Sequence, residues 1–161
     1  MTSKALLLLD ADGVLGLLGE GNGEPTFEAI AGSFPVTIAV ASQERLSRLA
    51  RVFQIVWATS WQRTAAEHLG PLLGLPADLP FLSFDQDLGA ADLSYKLPAV
   101  QRFVGTRATA WVDDELGEDV MAWADQRQSP TLLIHTDPRY GLLDEHVDRL
   151  LAFAARLPGG A

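Results

Sequence analysis

The sequence contains no cysteine, which excludes disulfides, thiol nucleophiles and cysteine-ligated zinc at the outset. Histidine is almost as scarce, and His68, His135 and His146 stand too far apart for a ligand motif. Only Lys4 and Lys96 among the 12 basic residues are lysines, so arginine is the default cation and Lys96 stands out. Long hydrophobic runs are missing too. The first, Ala5 to Leu9, closes at Asp10 and is far too short for a bilayer span or a secretion signal. A cytoplasmic location with no membrane partner is therefore expected. Positive charge is in short supply, and a net −9 speaks against a general nucleic-acid surface, which needs clustered Lys and Arg. A local basic groove stays open.

What is present suits a globular chain: 48% of the 161 residues are hydrophobic and 20% charged, a balance that supports an independent core. A single domain, residues 1–161, is expected, with no repeat or linker. Lys4 to Leu9 reads as a buried parallel strand that delivers Asp10-Ala11-Asp12-Gly13 at its carboxyl end. Four glycines between Leu15 and Thr26 mark a loop, and Phe34 to Ala41 reads as one arm of a hairpin, an insertion over about residues 14–41. Ser42 is the expected N-cap of a helix carrying Leu46, Leu49, Ala50 and Phe53. Gln54 to Ala58 predicts a strand, Trp61 to Leu73 a helix, and Phe81 to Phe84 another strand. Leu97 to Val104 predicts a helix stopped by Gly105; Thr109 to Val112 a strand; Leu116 to Gln126 a helix; Thr131 to His135 a strand; and Asp144 to Leu157 the closing helix. This alternation predicts a doubly wound, mostly parallel α/β sheet.

Polar residues collect at the predicted strand ends: Asp10 and Asp12, Thr59 and Ser60, and Asp113 and Asp114. Ligands of open α/β sheets bind outside the carboxyl ends of the strands. Four carboxylates meeting there must take up protons or a cation. An oxygen-rich site without cysteine or clustered histidine suits Mg²⁺. The competing readings are plain. Asp-Gly after a strand is often only a turn; Thr59 and Ser60 suit helix N-caps; Lys96 suits a solvated first turn. Asp85, Asp87 and Asp92 lack the glycine and glutamate of a calcium loop and are assigned to solvent. Trp57, Trp61, Trp111 and Trp123 are expected in or beside the core, and His135 is expected to be buried and satisfied.

The run Leu7-Leu8-Leu9-Asp10-Ala11-Asp12-Gly13-Val14-Leu15 resembles the first motif of the haloacid dehalogenase-like (HAD) superfamily, an apolar strand followed by DxDGV. Trp57-Ala58-Thr59 resembles the second motif, Lys96 the third and Trp111-Val112-Asp113-Asp114 the fourth, in the family's order. Trp57 to Trp61, Trp111 to Glu115 and Asp137 to Leu142 further resemble the small HAD domains of RNA-repair fusion proteins. The resemblance implies a Mg²⁺-dependent phosphomonoesterase. Asp10 would be the nucleophile, Asp12 the acid and base, Thr59 a phosphoryl-binding hydroxyl (Ser60 being the alternative) and Lys96 the charge-offsetting cation. Asp10, the Asp12 carbonyl and Asp113 would hold the metal, with Asp114 a ligand or a partner of one. The spans between these motifs are too short for a separate cap domain, so the substrate could be a phosphorylated small molecule, a nucleic-acid end or a protein; a small molecule would be enclosed by another subunit, so an oligomer stays open. Two other readings remain: a receiver-like Mg²⁺ and phospho-signalling domain, disfavoured because receivers put the acid pair after the first strand, and a HAD-like interaction module without turnover.

Overall fold

The structure, a computed structural model, describes residues 3–84 and 94–159; the expectation for Asp85, Asp87 and Asp92 lies outside them. Strands β1 (Ala5–Leu9), β4 (Phe53–Trp57), β5 (Thr109–Asp113) and β6 (Thr131–His135) form a parallel sheet in the order β4-β1-β5-β6. Strands β2 (Thr26–Ala31) and β3 (Phe34–Ala39) form a separate antiparallel hairpin between β1 and helix α1 (Ser42–Val52). A π-helical turn, Ala65–Leu69, runs into the short helix α2 (Gly70–Leu72), and α3 (Leu97–Val104), α4 (Glu118–Gln126) and α5 (Asp144–Arg156) follow.

Every residue of β1 is buried, which its uninterrupted leucines predict for a strand covered on both faces. Alternate side chains feed two cores. Leu7 and Leu9 pack with Val36 and Ile38 of the hairpin, Leu46 and Leu49 of α1, and Val147 and Leu150 of α5. Leu6 and Leu8 pack with Leu97 and Val100 of α3, Val120 of α4 and Trp111. Helices thus cover both faces, and the doubly wound parallel fold is as expected.

Three local readings are corrected and a fourth is refined. Ser42 is the first helical residue, not the cap; Ala41 takes the cap position with no side-chain bond, while Ser42 is buried. Phe53 opens β4 rather than closing α1. Phe81 to Phe84 is no strand: Phe81 makes a single bridge to Trp57, held by Leu82 N–H to Trp57 O at 2.9 Å, and the chain then leaves the sheet. The helix expected over Trp61 to Leu73 is present over residues 63–72, after a turn at Trp61 and Gln62, and its middle, Ala65–Leu69, is π-helical.

Candidate active site

The register of the sheet sets the site. Leu9 of β1 lies level with Trp57 of β4 and with Val112 of β5. The next residues on the three strands, Asp10, Ala58 with Thr59, and Asp113, therefore emerge side by side. The direction of strand addition reverses after β4, so the ends of β1 and β5 flank the switch point of the sheet, the usual ligand crevice.

Asp10 and Asp113 are 6% and 1% exposed. Lys96, the residue before α3, reaches between them, with its Nζ 3.2 Å from Asp10 Oδ1 and 2.7 Å from Asp113 Oδ2. It is itself buried, so the reading of Lys96 as a solvated residue is excluded. Backbone groups complete the frame: Ala11 N–H donates to Asp10 Oδ1 at 2.8 Å, and Glu115 N–H to Asp113 Oδ1 at 2.9 Å. Asp114 is brought in as well, for Asp10, Asp113 and Asp114 each offer an oxygen within 4.8 Å of the others. Gly13 permits this closeness. Its φ is +76°, and a Cβ there would collide with the Asp114 carboxylate, so only glycine suits both the backbone and the space. Thr136 Oγ1 fixes the same turn by donating to Gly13 O at 2.7 Å.

Charge in this crevice is poorly balanced. Burial pushes the Asp10 carboxyl far above the ordinary carboxylate range; Lys96 opposes the rise and Asp113 adds to it. Burial also raises Asp114, which hydrogen-bonds Asp10, a contact that requires one of the two carboxyls to carry a proton. Burial alone would lower Lys96, but Asp10 and Asp113 outweigh it and hold the ammonium charged. Three acids thus share one cation. That shortage of positive charge, with an all-oxygen donor set, fits a hard divalent cation such as Mg²⁺.

The other expected residues lie around this cluster. The Asp12 carboxylate stands outside the three-acid group and accepts a 3.0 Å bond from Trp61 Nε1; its expected share in metal binding was its main-chain carbonyl. Thr59 is buried at the end of β4, and its Oγ1 accepts the Trp61 N–H at 3.2 Å, a turn rather than a helix cap. Ser60 is exposed and hydrogen-bonds the Tyr95 phenol. His135 corrects its expectation: it is exposed at the end of β6, with Nε2 2.6 Å from Asp114 O. Beside Lys96 a cleft of about 400 Å³ opens, lined by Tyr95, Asp113, Asp114, Glu115 and His135 among others.

Trp57 and Trp111 are core residues as expected, but the indole contact of Trp61 with Asp12 escaped sequence reasoning. So did Arg45, which is 1% exposed and clamps Glu24 and Asp144 at 2.6 and 2.8 Å. Its signal was there to be read, an arginine one residue before Leu46 on the inward stripe of α1.

The family model described as the HAD domain in Swiss Army Knife RNA repair proteins matches residues 6–147. The chain belongs to this HAD family. No curated protein matches it. In this HAD domain the matched span includes all six expected site residues, Asp10, Asp12, Thr59, Lys96, Asp113 and Asp114. Among the described residues no helix is long and apolar enough to cross a membrane.

Proposed function

We propose that this HAD domain is a phosphomonoesterase that works through an aspartyl-phosphate on Asp10, with Mg²⁺ as its cofactor. The observation that carries the reading is the placement of Lys96 between Asp10 and Asp113, at 3.2 and 2.7 Å, with the Asp114 oxygen close by. Asp10, Asp113 and Asp114, with the Asp12 carbonyl, are the groups to hold the metal. When bound, Mg²⁺ supplies Lewis-acid stabilisation of phosphoryl charge and keeps Asp10 ionised.

In the first half-reaction an Asp10 carboxylate oxygen bonds phosphorus as the bond to the leaving oxygen breaks, and Asp12 gives that oxygen its proton. In the second, Asp12 takes a proton from water as the water oxygen bonds phosphorus and the Asp10–phosphorus bond breaks. The sum is phosphate monoester plus water giving alcohol plus phosphate. Thr59, two residues beyond the end of β4 on the adjacent strand, is the hydroxyl to bind a phosphoryl oxygen, and Lys96 offsets negative charge on Asp10 and the transferring group.

We take the chain to be a single domain without a separate cap. A site without a cap domain suits an accessible phosphorylated substrate. The membership in a family described for RNA repair proteins makes a nucleic-acid end one candidate, against which the net charge of −9 counts. The test is Mg²⁺-dependent phosphate release from an aryl phosphate and a panel of phosphorylated nucleotides. Asp10→Asn is expected to lower turnover at least about 10³-fold. Bound Mg²⁺ without turnover in the parent would instead assign the chain to binding rather than catalysis.

A further inference from the structure

Trp61 differs from the two fully buried tryptophans. The indole N–H groups of Trp57 and Trp111 are buried without an acceptor among the described residues, whereas Trp61 Nε1 donates to Asp12 Oδ2 at 3.0 Å. The turn that presents Trp61 is built at some conformational cost. Gln62 has φ +48°, the one non-glycine residue with positive φ among the described residues, and a π-helical segment follows at Ala65–Leu69. Strained backbone and π-turns persist where the surroundings hold them, and both gather at functional sites.

Those surroundings include the hairpin. The Phe34 ring lies 5.3 Å from Trp61, tilted at 47°, although Phe34 itself is 55% exposed. Gly32, at the hairpin turn with φ +66°, leaves a Cβ there only 3.4 Å from His68 of the π-helical segment, so the tip lies directly against the element that follows Trp61. An unbroken line of contacts runs from the hairpin through the indole to Asp12. A carboxylate two bonds beyond its backbone has several staggered orientations, and this hydrogen bond selects one of them.

We propose that Trp61, backed by Phe34, is the positioning residue for Asp12 and so governs proton delivery to the leaving group. The proposal rests on the phosphatase reading above, which makes Asp12 the acid and base. Proton donation matters most when the leaving group is a poor one: an alkoxide requires the proton, while 4-nitrophenolate departs without it. The second half-reaction, in which water loses a proton to Asp12, is the same for both.

The experiment compares the parent with Trp61→Phe, which keeps a ring beside Phe34 and removes the N–H. On an alkyl phosphate, kcat is expected to fall about tenfold to a hundredfold with KM nearly unchanged. On 4-nitrophenyl phosphate the loss moves to the second step, so a burst of nitrophenol equal to the enzyme concentration appears. Equal kcat in variant and parent on both substrates overturns the proposal. Should Trp61→Phe not fold, Phe34→Ala keeps the indole and removes its support; the same kcat-selective loss on the alkyl phosphate, smaller in size, is expected, and no loss overturns the proposal. A second readout needs neither metal nor substrate: Asp12→Asn is expected to shift one indole N–H resonance in the metal-free protein, and four unmoved indole signals overturn the hydrogen bond itself. If the parent turns over no phosphate ester, the phosphatase reading fails, and the indole resonances decide the Trp61–Asp12 contact alone.

Discussion

Among the described residues one arginine and one lysine are buried, each facing acids, and those acids respond oppositely. Arg45 donates from Nε to Asp144, from Nη1 and Nη2 to Glu24, and from Nη1 to Leu142 O. Its acids keep access to water, with side chains 31% and 68% exposed for Glu24 and Asp144. The guanidinium accordingly holds the Asp144 carboxyl below its usual value, and the pairing raises Arg45. Lys96 faces Asp10 and Asp113, which are buried with it, and burial drives Asp10 upward instead. A buried cation whose acids can hydrate is a satisfied clamp; one whose acids cannot is a site still short of positive charge. The first joins the loop before β2 to the start of α5, and the second collects the residues expected to do chemistry.

Removing each cation should separate the two roles. Lys96→Ala is expected to lower phosphate release about 10²- to 10³-fold. With the competing ammonium gone, Mg²⁺ should raise the melting temperature of the variant more than that of the parent; an equal or smaller rise would mean that Lys96 and the metal do not share the same acids. Arg45→Ala should leave kcat per folded molecule unchanged and cost about 2–3 kcal/mol in a denaturant melt, less than for a fully buried pair because Glu24 can rehydrate. The smallest effect lies beside the clamp. His146 is buried, and its Nδ1 accepts the Leu143 N–H at 3.0 Å. Burial lowers its pKa, with Glu145 opposing and Arg149 and Arg45 assisting. Because the folded value is the lower, the unfolded chain takes the proton first. The neutral ring's contribution is therefore whole above about pH 6.5 and is lost as pH falls toward the folded value. His146→Gln should flatten that slope in melts between pH 7 and 5, at a loss of about 1 kcal/mol near neutrality for the bond.

Sequence alone carried the sheet because the strands that form it are short apolar runs between strong punctuation. Strands Ala5–Leu9 and Thr131–His135 needed only Asp10 and the flanking polar residues to bound them, as the helix Leu97–Val104 needed only Gly105. Strand β2 was hidden by an inverted signal: Ile30 is 65% exposed while Ala31 is buried, so hydrophobicity points the wrong way. The acids at the strand ends were legible from order and spacing, since β1 and β5 deliver them wherever the sheet closes. Contacts between a turn and a distant side chain, such as Trp61 with Asp12, have no period in sequence and were not. His135 was misplaced for a related reason: the apolar run of β6 says nothing about which end of the strand meets solvent.

The pairing of Leu9 with both Trp57 and Val112 has a consequence for how the protein is made. A strand advances about 3.3 Å per residue and turns its side chains over at every step, so a slip of one residue on either side of β1 would carry an acid or the Thr59 hydroxyl out of reach and onto the wrong face. The site works as a vernier on the sheet, aligned only when three separate strands agree to within a single residue. During refolding, turnover should consequently return only with the last correctly seated strand, however early the compact shape is regained.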